Sequence, residues 1–486
     1  MNYLLGLLDE GWGVQLHRPV RRALVHEGTW MHATALLAAG ELTLLSIWGD
    51  GSQVHMALLD AEDQHRIGVL TLQCPEGYYP SVGGAHPPAI RLERAIRDLF
   101  GFEPIGLQDP RSWLDHREGT DYPFLPVEGE GLHQIPVGPV HAGIIEPGHF
   151  RFTCDGETVV RLEQRLGYAH KGVDELFVGA SLEQAARLAC RVSGDSAVAI
   201  SLGFARAVEA ALDFTPPRRA VRLRALMAEL ERIANHLGDF GAICNDASFS
   251  IIQAHCAVLR ERVLRAADGA FGHRLMMDRI VPGGVTVDLD AQNMAAIVGV
   301  VAEVRETFAA LAKLYDETAS LQDRTVATGI LKPELARQFG AGGYVGRASG
   351  RVFDARKHPG YAPYDSLTFD VPVLTQGDVN ARLWIRVAEV KQSLSLIEDI
   401  LHGMPYGEIM TQVPIRSGEA LTLTEAFRGD VLVWLRVNEG FVDRCHVRDA
   451  SWFQWPLLEA VIEGNIVADF PLCNKSFNCS YSGHDL

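Results

Sequence analysis

The sequence lacks any run of eighteen or more uncharged apolar residues. Its most apolar helical candidate, around residues 295–304, is interrupted by Glu303 and followed by Arg305, so the sequence predicts no membrane-spanning helix. The opening segment MNYLLGLLDEGWG has no basic stretch and reaches Asp9 and Glu10 early, unlike a secretory signal peptide. We therefore expect the chain to reside in the cytosol.

Paired cysteine motifs are also absent. None of the eight cysteines stands in a C-x-x-C, so the spacings of zinc ribbons and cubane iron–sulfur sites are missing. Basic residues are also fewer than acidic ones. The chain has 44 Lys and Arg and 61 Asp and Glu, which give a net charge of −17. That balance disfavours nucleic acid or an anionic lipid surface as the main partner, although docking onto membrane proteins stays open.

The length of 486 residues predicts two or more domains. Residues 1–125 contain strand-like segments such as ELTLLSIWGD and VHMALLDA and indicate a small α/β domain. A helix from about Pro88 carries E-R-x-x-x-D-L-F-G and ends at Gly101. This signature resembles the small hydrophilic subunit of complex I, which implies a docking module without a cofactor. Solvated charges on an ordinary amphipathic helix are the alternative.

The remaining residues, 126–486, follow a linker rich in Gly, Pro and acids at about 119–131. They contain G-P-x-H at 138–141, Y-x-H-K-G-x-D at 168–174 and R-x-x-x-x-E-L-x-R-x-x-x-H-L at 224–237. Together these motifs resemble the large subunits of complex I and of group 4, formate-hydrogenlyase-type membrane-bound [NiFe] hydrogenases. The resemblance implies an α+β chain, in which the small α/β docking domain precedes a mostly α-helical bundle with small β-sheets.

The segment R-V-S-G-D-S at 191–196 is similar to the hydrogenase pattern R-x-C-G-x-C, with Ser193 and Ser196 at the positions of two metal-binding cysteines. The second hydrogenase pair, D-P-C-x-x-C, corresponds here to Cys473 and Cys479, which have five residues between them. Nickel and low-spin iron require soft thiolates, which hydroxyls do not replace. The resemblance therefore implies a degenerate nickel–iron pocket that holds no metal. A helix start capped by Ser193 or Asp195 is the plainer alternative.

Three side chains remain candidates for catalysis. Asp174 stands where the family has a proton-relaying glutamate, although a first-turn acid that interacts with the helix dipole explains it too. His141 belongs to the G-P-x-H turn, and Asp195 adds a charge inside the former metal segment. The complex I quinone donors are not inherited, because Ile145 and Gly194 occupy their positions.

The C-terminal tail SFNCSYSGHDL is polar and aromatic, and we expect it to fill the space of the lost cofactor. A rebuilt metal site is the alternative, because the tail and the central segment should lie side by side. Its ligands would be Cys190, Cys473, Cys479 and His484. Buried free cysteines more commonly act as small apolar side chains, which favours the first interpretation.

These resemblances predict a peripheral-arm subunit, on the cytoplasmic side of the inner membrane, of an oxidoreductase complex related to NADH:quinone oxidoreductase and group 4 hydrogenases. The chain itself is expected to bind no cofactor. Its expected partners are a small subunit with an iron–sulfur cluster and antiporter-like membrane subunits. Electron transfer, with a quinone as a candidate acceptor, would drive ion translocation. A non-catalytic scaffold between a soluble partner and an ion-translocating module is the alternative. An active hydrogenase is disfavoured by both altered cysteine pairs.

Overall fold

The structure is a computed structural model that describes residues 3–114 and 122–486. The first part of the predicted linker lies outside these ranges. The N-terminal module is a five-stranded sheet in the order β1-β3-β6-β5-β4, in which β3 and β6 run parallel and the other pairs antiparallel. Its elements are α1 (Tyr3–Glu10), β1 (Trp12–Gly13), β2 (His17–Arg18), β3 (Arg21–Val25), α2 (Glu27–Ala38), β4 (Leu42–Asp50), β5 (Gln53–Asp60), β6 (Ile67–Gln73), β7 (Tyr78–Pro80), α3 (Ile90–Phe100) and β8 (Glu103–Ile105).

Helix α3 carries the signature E-R-x-x-x-D-L-F-G, whose carboxylates hydrogen-bond the backbone of neighbouring loops. The carboxylate of Glu93 is buried and accepts the backbone N–H groups of Val82 and Gly83 at 2.7 and 2.9 Å. Asp98 accepts two backbone N–H groups of the loop that follows β8. Gly101 ends the helix at φ +70°, a conformation that costs glycine little. The signature therefore shapes this module rather than forming a solvated face.

The large module consists of a helical bundle with small antiparallel sheets. Helix α7 packs its apolar face against α8 and α13, while strands β14 and β15 of the three-stranded unit β14–β16 cover α6. The predicted α+β fold is confirmed. Its elements are β9 (Leu132–Val137), β10 (His149–Asp155), β11 (Thr158–Arg165), α4 (Val173–Leu176), α5 (Leu182–Ala189), α6 (Ala197–Ala211), α7 (Arg218–Asp246), α8 (Ser250–Phe271), β12 (Ile280–Val281), β13 (Gly284–Val285), α9 (Ala291–Glu317), α10 (Ala319–Thr325), α11 (Pro333–Gln338), α12 (Gly343–Ala348), α13 (Val379–His402), β14 (Gly418–Ala426), β15 (Gly429–Asn438), β16 (Phe441–Arg448), α14 (Ser451–Ile462), α15 (Phe470–Phe477) and α16 (Tyr481–Asp485).

The length and hydropathy of each helix show whether it could span a membrane. Across residues 3–114 and 122–486, no single helix is both long and apolar enough to span a bilayer. One bent pair, Leu182–Ala189 with Gly194–Ala211, passes the same test jointly, and its two halves meet at 111°.

A network of buried charges joins α7, α12, α13 and β14 in the middle of the bundle. The Nε2–H of His236 donates to Glu389 at 2.7 Å, and Arg347 contacts the other oxygen of Glu389 at 2.7 Å. Arg347 also donates to Glu425 at 2.9 Å, so each charge has a partner of opposite sign. His236 is thus held by a carboxylate. We call this set the core network; its members are Glu229, Arg232, His236, Arg347, Asp354, Arg356, Glu389 and Glu425.

The two modules are interlocked rather than merely tethered. Strand β2 of the N-terminal module adds in parallel to β14 and makes the second sheet four-stranded. Next to this pairing, Arg22 donates to both carboxylate oxygens of Glu419. Ser46 hydrogen-bonds His446 at 2.9 Å, and the His446 ring stacks on Trp48 at 5.0 Å between centroids. Buried apolar and polar contacts therefore continue from one module into the other.

Candidate functional site at the start of helix α6

A short turn between two helices carries the segment R-V-S-G-D-S. Helix α5 begins with a capping box, in which Ser181 accepts the N–H of Gln184 and the Gln184 side chain accepts the N–H of Ser181. After α5 ends, Gly194–Ser196 forms one 3-10 turn and α6 follows directly. Small residues dominate α6, which is buried along nearly its whole length. The turn is consequently fixed between two rigid helices.

Hydroxyl, carboxylate and guanidinium groups meet at this turn. The hydroxyl of Ser193 donates to Asp195 at 2.9 Å and lies 2.8 Å from the hydroxyl of Ser480 in the C-terminal tail. Arg428, from the turn between β14 and β15, donates to Asp195 at 2.8 Å and to the hydroxyl of Ser196 at 3.2 Å. A second nitrogen of Arg428 also binds the Asp195 carboxylate, so this ion pair is bidentate.

The C-terminal tail closes the arrangement from the other side. The carbonyl of Asn478 accepts from the Nε–H of Arg428, and its side-chain amide donates to Asp239 at 2.8 Å. The carboxylate of Asp239 also contacts Arg386 of α13 at 3.3 Å. We call the resulting set the serine–arginine cluster; its members are Ser193, Asp195, Ser196, Arg428, Asn478 and Ser480.

The electrostatics of the cluster favour a permanent ion pair. Burial acts to raise the pKa of Asp195, but Arg428 and the hydrogen bonds from Arg428 and Ser193 outweigh it and hold that pKa below its ordinary value. Burial disfavours the charge on Arg428, yet the Asp195 carboxylate keeps the pKa of Arg428 above its usual range. Both groups therefore stay charged at neutral pH, and neither is poised to exchange a proton there.

A second carboxylate lies beside the cluster. Glu231 of α7 accepts the N–H groups of Val198 and Ala199 at 2.7 and 3.1 Å, and burial raises its pKa to about 8. Glu231, Asp195 and Asn235 line a cavity of about 10 Å³. This volume suits roughly one water molecule. The cavity beside Asp195 therefore has no room for an organic substrate.

A nickel–iron centre does not fit the residues at this turn. Ser193 and Ser196 offer hydroxyls, and both are engaged with Asp195 and Arg428. Bimetallic centres of this kind need four soft, deprotonated sulfurs, because the metals prefer thiolates to alcohols. The donor set at the turn is hard, hydrogen-bonded and already charge-compensated.

The two cysteines of the tail do not make up for this. Burial raises the pKa of Cys473 to about 12 and also raises that of Cys479, so both thiols stay protonated at neutral pH. The thiol of Cys479 points to Gln454 at 3.9 Å. Both cysteines thus behave as small buried side chains.

The alternative rebuilt site is not assembled either. Cys190 donates to Asp278 at 3.2 Å, and His484 is bonded through Nδ1 to Asp485 at 2.8 Å. In the part of the chain that the structure describes, no group of three or more His, Cys, Asp or Glu side chains is arranged to hold a metal ion.

The other predicted catalytic residues lie in separate surroundings. The Nε2–H of His141 donates to the carbonyl of Gly148 at 2.7 Å, which closes the turn between β9 and β10. Asp174 lies in the first turn of α4, where it is buried and pairs with Arg444 at 3.0 Å. Among the described residues, no hydrogen bond or ion pair joins either of them to the serine–arginine cluster. Burial acts to raise the pKa of Asp174, but Arg444 and then His446 bring it below its ordinary value.

Arg428, the residue that organises the cluster, was not predictable from its local sequence. Arg428 occupies a two-residue turn between strands, where a charged residue is ordinary, and it lies 233 positions from its partner Asp195. No local spacing connects the two. The one signal in the sequence was the extra acid at Asp195, because a half-buried carboxylate calls for a partner of opposite charge.

Comparisons with known proteins bear on the whole chain. A family model described as respiratory-chain NADH dehydrogenase, 49 kDa subunit, matches residues 248–417. Formate hydrogenlyase subunit 5 from Escherichia coli (strain K12) is 32% identical over 438 residues, which are 84% of this chain and 77% of that protein. An NADH-quinone oxidoreductase subunit from Syntrophobacter fumaroxidans is 31% identical over 353 residues, which are 71% of this chain and 94% of that protein.

The chain belongs to the family of complex I 49 kDa-type subunits and membrane-bound hydrogenase large subunits. The fold agrees, because a chain of an archaeal respiratory membrane complex, the membrane-bound sulfane sulfur reductase, superposes with a TM-score of 0.70. That chain is 24% identical, and the match covers 74% of this chain and all of the other. Within this family, the serine–arginine cluster stands at the segment that resembles the hydrogenase metal site.

Proposed function

We propose that this chain is a peripheral-arm subunit of a membrane-bound oxidoreductase complex, related to complex I and group 4 hydrogenases, that has no nickel–iron centre. In this proposal electrons arrive next to the serine–arginine cluster from an iron–sulfur small subunit, and a quinone is a candidate acceptor. Antiporter-like membrane subunits move ions in response. Relatives named as formate hydrogenlyase and NADH-quinone oxidoreductase subunits support membership of such a complex.

One observation carries the proposal. The bidentate Asp195–Arg428 pair, together with the hydroxyls of Ser193, Ser196 and Ser480, occupies the turn with mutually satisfied hydrogen bonds. Removing a metal from an inherited site would leave buried polar groups unpaired, which is costly. Here a carboxylate, a guanidinium and the tail satisfy one another. The site therefore supports a chain that folds and works without that metal.

The same relatives support a position of the chain in the peripheral arm, against the membrane. We place the chain on the cytoplasmic face of the inner membrane, where it contacts membrane subunits without crossing the bilayer itself. The net charge of −17 agrees with docking onto protein rather than onto anionic lipid.

The metal content of the intact complex tests the proposal. We expect purified complex to contain iron from the small subunit, nickel far below one atom per chain, and no hydrogen evolution with a reduced viologen dye. Stoichiometric nickel would contradict the proposal. So would hydrogen turnover that disappears in Ser193→Ala and Ser196→Ala but persists in Ser482→Ala, a tail serine whose side chain lies outside the cluster.

A non-catalytic scaffold is the second candidate, and a specific observation favours it. The cavity at Asp195 measures about 10 Å³, and the hydroxyls of Ser193 and Ser196 are engaged within the cluster. Electron transfer through the assembled complex separates the two functions. If the cluster only stabilises the subunit, Asp195→Asn lowers the yield of complex but leaves the rate per assembled complex unchanged. A lowered rate in fully assembled complex favours a role in the electron-transfer step.

A further inference from the structure

Two histidine rings from different modules meet at the surface. His65 lies in the turn between β5 and β6 of the N-terminal module, and His358 lies in the turn at 356–360 of the large module. The Nε2 of His65 and the Nδ1 of His358 are 3.1 Å apart, and the ring centroids are 4.7 Å apart with nearly perpendicular planes. His65 is exposed and His358 half-buried, so solvent reaches the pair.

The contacts of His65 set its tautomer. Its Nδ1 lies 3.2 Å from the carbonyl of Pro359, and a carbonyl only accepts, so the ring proton sits on Nδ1. Nε2 of His65 therefore carries a lone pair that faces His358 and can accept a proton donor or bind a metal ion. A ligating histidine that donates its other N–H to a backbone carbonyl is the usual arrangement at protein metal sites, because that bond fixes the ring.

Both turns are held by contacts of their own. In the turn that carries His65, Asp60 accepts the backbone N–H groups of Glu62 and Asp63. The charge of Arg66 is compensated by an ion pair with Asp63 at 2.9 Å. In the second, the N–H of His358 donates to the carbonyl of Asp354 at 2.9 Å, and Asp354 is a buried member of the core network. These contacts position the two nitrogens in advance, which lowers the entropic cost of holding a ligand.

The nitrogen separation matches that of two ligands on one metal ion. With metal–nitrogen distances near 2.0–2.1 Å, adjacent ligands of a tetrahedral ion lie about 3.3 Å apart. For a square-planar ion the separation is about 2.8 Å. The observed 3.1 Å falls between them.

We propose that His65 and His358 bind a divalent late-transition-metal ion, with zinc as the representative, and that this ion fastens the N-terminal module to the large module. Without the ion, the Nδ1–H of His358 donates to His65. Binding moves that proton to the Nε2 of His358, where it meets solvent, so both facing nitrogens coordinate and no net proton is lost. Water completes the coordination shell.

Zinc binding to the intact, tag-free complex tests the proposal. Equilibrium dialysis against zinc chloride should find one zinc ion per chain that is lost in His65→Ala and in His358→Ala. The control His32→Ala removes an exposed histidine of α2 and should retain it. Equal zinc content in wild type and both pair variants overturns the proposal.

Histidine footprinting supplies a second readout that needs no variant. Diethyl pyrocarbonate should modify His65 in metal-free complex, and zinc should reduce that modification at least several-fold while His32 stays equally reactive. If zinc leaves the labelling of His65 unchanged, the pair is only an inter-module hydrogen bond and the proposal fails. Because the readout is resolved by residue, zinc bound elsewhere in the complex does not affect it.

Discussion

The core network and the serine–arginine cluster both pair arginine with carboxylate, but they differ in how the chain builds them. The core network draws its charges mainly from α7, α12 and α13, with Glu425 contributed by β14. Its glutamates and arginines are almost fully buried. The serine–arginine cluster draws on turns and on the C-terminal tail, and 36% of the Asp195 side chain is exposed.

This difference agrees with the proposal that the site is rebuilt on an inherited scaffold. Helix positions are constrained by packing on every side, so a change in one charge of the core network leaves several others unpaired. Turns and a chain end tolerate replacement more easily, since fewer contacts depend on them. The helix motif at 224–237 resembles the family pattern, whereas Ser193 and Ser196 depart from the hydrogenase pattern. Under the proposed function, the bundle keeps its structural role while the chemistry of the site differs.

The largest effect should come from breaking the core network. Glu389→Gln removes the charge that balances Arg347 and accepts the N–H of His236, both fully buried, and we expect a loss of about 3–5 kcal/mol in the free energy of unfolding. The yield and thermal midpoint of the complex measure it. Glu398→Gln, on the exposed side of the same helix, removes only the surface pair with Arg305 and should cost at most about 1 kcal/mol. Similar losses in both variants would contradict the comparison.

Arg428→Met should have an intermediate effect. The change leaves Asp195 without its bidentate partner, but water partly compensates because this carboxylate is half-buried, so we expect about 1–3 kcal/mol. The loss should be local, and hydrogen exchange should speed up in residues 193–196 and 478–486 and not in α13. Arg187→Met removes an exposed ion pair with Glu183 on α5. It should change the local opening free energy of α5, measured by hydrogen exchange, by less than about 0.5 kcal/mol. Unchanged exchange in the tail of Arg428→Met would refute the link.

Elements with strong periodicity were predictable from the sequence. Apolar residues recur at helical spacing after Pro217, and α7 runs over Arg218–Asp246. Thr318 separates α9 from α10. Gly101 ends α3 as expected. The short strand β2 was not predicted, because two residues carry no period and β2 exists only by pairing with β14.

The site was predictable only in part. The segment at 191–196 and the tail were predicted site segments, because both depart from the hydrogenase pattern that they resemble. Arg428 was not a predicted site residue, since its role depends on a contact between residues 233 positions apart. The partners of Asp174 also lie on a distant strand, β16. The ion pair with Arg444 explains why the Asp174 carboxylate can be buried, which the sequence alone could not reveal. Local chemistry thus indicates where a site lies, while tertiary contacts decide what it contains.

Lowering the pH should narrow the gap between wild type and Arg428→Met. In wild type the pKa of Asp195 is depressed in the folded state, so its contribution is present above the ordinary aspartate pKa and is lost as the pH falls through the folded value. In the variant, burial without the guanidinium raises that pKa, so protonation begins earlier and relieves the unpaired charge. The difference in local opening free energy, from hydrogen exchange, should therefore shrink from pH 7 to pH 4. A constant or growing gap would exclude the ion pair as its cause.

The smallest effect should come from Ser480→Ala. Its hydroxyl lies 2.8 Å from that of Ser193 and accepts the N–H of Gly483 at the start of α16, and losing these bonds should cost about 0.5–1.5 kcal/mol. Exchange should rise in α16 and leave residues 193–196 nearly unchanged, because Arg428 still holds Asp195. Ser482→Ala, whose side chain makes no hydrogen bond within the described residues, serves as the matched control. A cost equal to that of Arg428→Met would mean that the tail, rather than the arginine, holds the turn in place.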